Sequence, residues 1–159
     1  MQRNLTNAEI DALLTSERFG HLGCCDKGKP YVIPLAYVFH ANVLYGQTME
    51  GKKTDILRKN PVVCFQVQQQ GEHEWRSAIC WGTFEELEVA ELEMPEAKHV
   101  YSLLTHYLGG IQDTVGIDKP SFSFSDTMEV FVTTKKKPTL FRIVITEKTG
   151  RLFVGSNRL

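Results

Sequence analysis

Short runs of β-branched and aromatic residues, separated by turn-forming residues, constrain the fold of this chain most strongly. Such runs occupy residues 19–25, 31–39, 43–46, 62–68, 77–89, 128–133 and 140–146. Their composition and spacing predict short β-strands. Five to seven such strands, with few helices between them, favour a mostly β protein with a few helices, built as a barrel.

Helices are predicted where the hydrophobic period lengthens. Thr6 and Glu9 have the spacing of a capping box, which marks the start of the first helix. The second helix ends before Pro61, because the residue that precedes a proline avoids the helical region. The three helices are predicted over residues 7–16, 51–60 and 95–108, and we expect the last two to plug or flank the barrel.

Some segments are predicted to be irregular. Pro34 lies inside a predicted strand and lacks a backbone donor, so that strand needs a free edge or a bulge there. Gly82 marks a second candidate bulge. The connection 111–126 has little apolar periodicity, which is typical of functional or disordered loops. The polar tail 149–159 is expected to be mobile or to reach across a partner, and residues 1–159 are expected to form a single domain.

Composition narrows the function classes. The chain of 159 residues has a net charge of −1, whereas binding to a phosphate backbone needs a clear excess of Lys and Arg. We therefore expect no nucleic-acid partner. No apolar run approaches the roughly 20 residues of a membrane span, and the N-terminus lacks the apolar core of a secretory signal. These features predict a protein without membrane association, located in the cytoplasm.

One segment combines features that suit a phosphate group. Thr48 offers a hydroxyl, and Gly51 lets a ligand approach the backbone closely. Lys52 and Lys53 then bring two positive charges to the first turn of a predicted helix, where cations oppose the helix dipole. A bound anion would reverse that balance. The alternative is a pair of solvated lysines on an exposed turn.

The same segment carries a family resemblance. Residues 45–67, YGQTMEGKKTDILRKNPVVCFQV, resemble the pyridoxamine 5′-phosphate oxidase-like superfamily of FMN-binding split barrels. The preceding residues 30–38, PYVIPLAYV, are similar to the subgroup that contains nitroimidazole-resistance proteins, as is the strand over 77–83. The resemblance covers residues 6–90 and extends more loosely to 140–143. It implies a Greek-key split barrel, FMN as cofactor, and a homodimer with flavin at the subunit interface.

The resemblance also implies roles for individual residues. Lys52 and Lys53 match the positions that grip the FMN phosphate, and Ser77 matches a polar position near the flavin that can reach the partner's site. Residues 33–36 match the strand whose backbone lines the isoalloxazine ring. The candidate cofactor-binding residues, from the residues and the resemblance together, are Ile33, Pro34, Leu35, Ala36, Tyr45, Gly46, Thr48, Gly51, Lys52, Lys53 and Ser77.

Departures from the family pattern shape the functional prediction. The basic set that binds substrate phosphate in pyridoxamine phosphate oxidases has no counterpart here, which argues against vitamin B6 oxidation. Lys52 stands where many nitroimidazole-resistance proteins have a histidine. The leading hypothesis is an FMN-dependent oxidoreductase that passes electrons from a nicotinamide to a small organic acceptor, for which a nitroaromatic compound is one candidate. No catalytic acid or base is assigned. The alternatives are a non-catalytic flavin-binding module, a deazaflavin site, and a haem-binding relative.

Other candidate groups are weaker. The haem alternative would use His21, His40, His99 or His106 as axial ligands. No metal site is predicted, since the histidines and cysteines lack the spacing of a ligand set. Trp75 and Trp81 could stack on a flavin or be ordinary core or interface residues. The lysines at 135–137 are read as a solvated turn. The cysteines, expected to be reduced structural thiols, are Cys24, Cys25, Cys64 and Cys80.

Overall fold

The fold was analysed in a computed structural model, which describes residues 1–87, 94–95, 98–100, 102–103, 106 and 138–155. Among the described residues, two helices have defined bounds, α1 (Asn7–Ser16) and α2 (Lys52–Lys59), and there are eight strands. The strands are β1 (Gln2–Asn4), β2 (Phe19–Asp26), β3 (Lys29–Ala36), β4 (Val38–His40), β5 (Val43–Met49), β6 (Val62–Gln70), β7 (Glu74–Glu86) and β8 (Pro138–Val154). No helix among these residues is long and apolar enough to cross a membrane.

The strands form one antiparallel sheet that curls into a barrel. Its order is β3-β2-β6-β7-β8-β5-β4, and β1 pairs with the far part of β8. The neighbours β2 and β6, and β8 and β5, are not consecutive in the chain, so the chain crosses over between them. β3 at one end of the order approaches β5 near the other end. The predicted fold class, a mostly β split barrel, is confirmed.

Alternation along the strands divides the sheet into two faces. Leu22, Phe65, Val67 and Ile143 are among the inward side chains, and together with α1 they fill the core. The bulge predicted at Gly82 is present, because the pairing of β7 with β8 shifts register between Trp81 and Gly82. A Cβ at Gly82 would lie 2.4 Å from the carbonyl oxygen of Val144, so only glycine fits that approach without a shift.

α1 is stabilised at its start by a capping box and is held at its end by a contact from Tyr37. Thr6 accepts a hydrogen bond from the amide of Glu9, and the Glu9 carboxylate accepts one from the Thr6 amide, which confirms the capping box. At the other end, the Tyr37 hydroxyl donates to the Leu14 carbonyl at 2.8 Å. This carbonyl belongs to the last turn of the helix, which has no intrahelical donors left. Burial raises the pKa of Tyr37, so the phenol remains a donor.

Several strands differ from the prediction. The predicted strand 31–39 is two strands, because the chain breaks at Tyr37, whose amide donates to the Arg18 carbonyl at 3.0 Å instead of to a sheet neighbour. The strand predicted over 43–46 continues to Met49. The polar tail was also misread in part, since residues up to Val154 belong to β8. The short strand β1 was not predicted.

The described part of the tail, up to Val154, continues β8, and its polar residues lie on one face. Gly150 and Leu152 are buried, whereas Thr149 and Arg151 are exposed. β7 pairs with this segment on one side, and β1 pairs with residues 151–153 on the other. Of the predicted helix 95–108, the described residues 95, 98–100, 102–103 and 106 are helical. The connection 111–126, the strand 128–133 and the lysines 135–137 lie outside the described residues.

We predict that Tyr37 is a large single contribution to stability. Its ring is buried and meets Phe65 edge-on at 5.0 Å. Tyr37→Ala should lower the free energy of unfolding by about 3–5 kcal/mol through cavity formation. Tyr37→Phe should lower it by roughly 1–3 kcal/mol, because the Leu14 carbonyl loses its donor. Urea unfolding followed by circular dichroism measures both values, and equal stability of Tyr37→Phe and wild type would contradict the role of the hydroxyl.

Candidate functional site

β3 provides an end strand beside the barrel opening. The prediction of a free edge at Pro34 is confirmed, because β3 is the terminal strand of the described sheet. Ile33 and Leu35 point inward and pack on the core. Pro34 and Ala36 lie on the opposite face of the strand, where Pro34 is exposed and Ala36 is half-buried. The backbone of this strand can therefore be approached from its unpaired side.

The start of α2 forms a basic corner, by which we mean Gly51, Lys52 and Lys53. Gly51 is the N-cap and supplies no side-chain cap, and its amide donates to the Thr54 hydroxyl at 2.9 Å. Lys52 is exposed, whereas Lys53 is half-buried. Burial lowers the pKa of Lys53, as expected for an ammonium group that is short of water or a counter-ion.

The basic corner lies next to β3. The Lys52 Nζ is 5.2 Å from the centre of the Tyr31 ring, within the range of a cation–π contact. A Cβ built on Gly51 would meet nothing within 4 Å. None of the described residues fills that space, so the glycine leaves open the side from which a ligand would reach the helix start. The first-turn amides of a helix and two ammonium groups are the donors that a phosphate requires.

β5 carries the remaining predicted residues, with Gly46 and Thr48 on its buried face and Tyr45 on the opposite face. Thr48 was expected in a loop, but it lies in β5 with its side chain buried, and its hydroxyl is 3.4 Å from the Met49 carbonyl oxygen. Tyr45 and Gly46 were expected at a strand end, but both lie in the middle of β5. Tyr45 packs with Val38. A Cβ on Gly46 would lie 2.4 Å from the ring of Phe141.

Ser77 is not brought to the basic corner within one chain. It lies in β7, which β2 and β6 separate from β3. Three strand spacings correspond to about 14 Å. The structure therefore groups β3, β5 and the basic corner, and it leaves Ser77 on a different part of the sheet.

Ser77 belongs to an exposed apolar surface that we call the outer face. One row across the sheet pairs Pro34 with His21, His21 with Gln66, and Gln66 with Ile79. The next row runs from Val32 through Gly23 and Cys64 to Trp81. Val32 and Val62 are each 64% exposed. The apolar members of the outer face are Phe19, Val32, Pro34, Val62, Ile79 and Trp81.

The other candidate groups are dispersed. His21 contacts the Gln66 amide oxygen at 3.1 Å on the outer face, and the rings of His40 and His99 lie 6.5 Å apart. All four cysteines are free, and burial raises the pKa of Cys80 to about 11. Across the described part of the chain, no group of three or more His, Cys, Asp or Glu residues could hold a metal ion.

Sequence reasoning missed the surroundings of the basic corner. Tyr31 contacts Lys52, and the carboxylate of Glu50 accepts two hydrogen bonds from Arg58 directly beside Gly51. The pairing of Glu50 with Arg58 could not be read from their spacing in the sequence, because Glu50 lies outside α2. The pairing depends on the turn between β5 and α2, which brings Glu50 back toward the helix.

The fold and the site together define a class of protein: an antiparallel split barrel with a basic helix start beside an open end strand. Comparisons with known proteins agree with this class. The chain matches the family model of pyridoxamine 5′-phosphate oxidase over residues 6–115. An uncharacterised protein of Rhizobium meliloti is 30% identical over 103 residues, which are 64% of this chain and 68% of the relative.

Solved structures extend the match to nearly the whole chain. An FAD-binding protein of Mesorhizobium loti is 29% identical, with a TM-score of 0.74 and 96% of each chain covered. A candidate 5-nitroimidazole antibiotic resistance protein of Bacteroides thetaiotaomicron is 20% identical, with a TM-score of 0.69 over 96% of this chain and 88% of that one. The chain therefore belongs to the pyridoxamine 5′-phosphate oxidase family, a flavin-binding family, as its sequence pattern indicated.

Proposed function

We propose that this protein binds FMN, with the phosphate on the basic corner and the ring along β3. The observation that carries the proposal is the juxtaposition of Lys52, Lys53 and the open helix start with the end strand β3, through the contact of Lys52 with Tyr31. Two cations at a helix N-terminus are unfavourable without an anion. Among the described residues, the space beside Gly51 is open to a phosphate group.

The lysines and the β3 backbone would bind different parts of FMN. Lys53 is half-buried, and burial lowers its pKa. A bound phosphate dianion would give its ammonium group a charge partner. Lys52 can reach the same group from solvent. The backbone of residues 33–36 offers donors and acceptors to the polar edge of a flat ring, while inward Ile33 and Leu35 keep the strand anchored in the core.

We further propose that the protein is an oxidoreductase. Bound FMN supplies hydride and electron transfer, from a nicotinamide donor to a small organic acceptor that includes nitroaromatic compounds. The fold shared with the Bacteroides protein supports the choice of acceptor class. The protein's own contribution is to bind, orient and shield the ring from water.

A second candidate is a flavin-binding module without catalysis. The observation that favours it is that the Glu50 carboxylate, adjacent in sequence to the basic corner, is occupied by Arg58. Tight binding of FMN together with no oxidation of NADH or NADPH across a panel of acceptors would establish this alternative over the first.

We also propose that the active form is a homodimer joined through the outer face. The apolar residues Val32, Val62 and Trp81 are exposed there in one chain. Ser77 lies on the same face, far from its own chain's basic corner. A two-fold axis would make this face self-complementary and would bring each Ser77 toward the flavin held by the other chain.

The test is the absorption spectrum of the purified protein. We expect flavin bands, and release of FMN on denaturation, identified against FMN and FAD standards by chromatography. Release of FAD would keep the flavin site and change the nucleotide, in line with the Mesorhizobium relative. A colourless protein that does not quench the fluorescence of added FMN would refute the proposal.

A further inference from the structure

A carboxylate lies directly beside the proposed phosphate site. Glu50 is adjacent in sequence to Gly51, and its two oxygens accept hydrogen bonds from Arg58 Nη2 at 2.6 Å and Nη1 at 2.7 Å. Thr139 Oγ1 donates to Glu50 Oε1 at 2.8 Å. These partners come from the far end of α2 and from β8, so they join three elements at the turn that leads into the basic corner.

Arg58 is itself held from a second side. Its Nε donates to Glu86 at the end of β7 at 2.6 Å. Thr54 closes the turn from within the helix, since its hydroxyl donates to the Gly51 carbonyl at 2.7 Å and accepts from the Gly51 amide at 2.9 Å. The contacts therefore fix both the position of Glu50 and the direction in which the start of α2 points.

The charge arrangement is unusual for an anion site. An ionised carboxylate next to a phosphate repels it, and at a separation of a few ångströms this repulsion is appreciable even near a protein surface. The hydrogen bonds from Arg58, and then from Thr139, lower the pKa of Glu50 to about 2, so Glu50 is ionised at neutral pH. A bidentate guanidinium contact engages both of its oxygens.

We propose that Arg58 is a positioning residue of the phosphate site: it engages both oxygens of the Glu50 carboxylate beside the basic corner and screens that charge, so that a phosphate is accepted there. This inference rests on the proposed function. It differs from a purely structural ion pair in one respect: loss of Arg58 should harm the binding of a phosphorylated flavin more than that of a flavin without phosphate.

The test compares FMN with riboflavin, which lacks the phosphate, by fluorescence quenching. Arg58→Gln leaves Glu50 charged and unmasked, so the Kd for FMN should rise about tenfold while that for riboflavin stays unchanged. The double variant Glu50→Gln/Arg58→Gln removes the repelling charge as well, and it should regain most of the lost FMN affinity. Glu50→Gln alone should bind FMN as tightly as wild type or more tightly.

Arg3→Gln is the matched control, because Arg3 makes a similar two-bonded contact with Glu9 at α1, outside the site. It should change neither ligand's affinity. Equal loss of FMN and riboflavin affinity in Arg58→Gln, or no recovery in the double variant, would overturn the inference and leave flavin binding intact. Failure of the wild type to bind FMN would overturn the proposed function and the inference with it.

Discussion

The double variant Lys52→Ala/Lys53→Ala is expected to bind FMN on the order of 100-fold more weakly than wild type. Each ammonium group makes a charge-assisted contact with the phosphate in the proposed complex, and such contacts contribute about 1.5–3 kcal/mol. Removing both lysines would also leave the phosphate near the Glu50 carboxylate without the two cations that offset its charge. The Kd is measured by titrating FMN into the apoprotein and following the loss of flavin fluorescence.

The single variants should separate the two lysines. Lys53 is half-buried and no charge partner is seen for it among the described residues, so Lys53→Ala should account for the larger share of the loss. Lys52 is exposed and rests over Tyr31, so solvent and salt screen its contribution. The effect of Lys52→Ala should therefore decrease as salt is raised, whereas that of Lys53→Ala should persist.

Lys59→Ala is the matched control for the lysine variants. Lys59 is an exposed lysine in the last turn of the same helix, about 10 Å from its start by the rise per residue. Its removal takes away one positive charge, as each single variant does, without touching the basic corner. A loss of FMN affinity as large in Lys59→Ala as in Lys53→Ala would mean that net charge, rather than the corner, binds the phosphate.

The second large effect is expected at the outer face. The double variant Ile79→Glu/Trp81→Glu should convert the dimer into monomers of 18.1 kDa. In a two-fold interface each substitution occurs twice, so four carboxylates would meet in an apolar surface, and each is expected to cost about 2 kcal/mol or more. Light scattering coupled to size-exclusion chromatography measures the mass.

The same experiment tests where the flavin lies. Ile79 and Trp81 lie in β7, which two strands separate from β3, so the substitutions leave the basic corner of their own chain intact. Loss of FMN in the monomer would support a site completed by the partner. Ala12→Glu, on the exposed side of α1, is the control and should remain dimeric. A wild type that is already monomeric would refute the homodimer.

Local rules made several elements predictable from the sequence. The capping box of Thr6 and Glu9 marks the start of α1, and Pro61 marks the end of α2, because both depend on residues within one turn of the boundary. Pro34 required an edge and Gly82 allowed a bulge, and both were found. The pair Lys52 and Lys53 at a helix start was visible for the same reason.

Other features depended on residues distant in the chain. The break at Tyr37 follows from hydrogen bonds to Leu14 and Arg18, and the polar tail becomes a strand only because β7 and β1 pair with it. The burial of Thr48 depends on how far β5 continues beside β8. No pattern within a few residues could report these partners.

The sequence by itself therefore determined the β class, the boundaries of α1 and α2 and the basic segment, since hydrophobic period, capping and turn chemistry act over a few residues. Only the tertiary structure decided which strands are neighbours, that Lys52 meets Tyr31 of β3, that Glu50 pairs with Arg58, and that Ser77 lies away from the corner. The physical reason is that these contacts are set by the register and crossover connections of the sheet, which bring distant residues together through packing of the whole core.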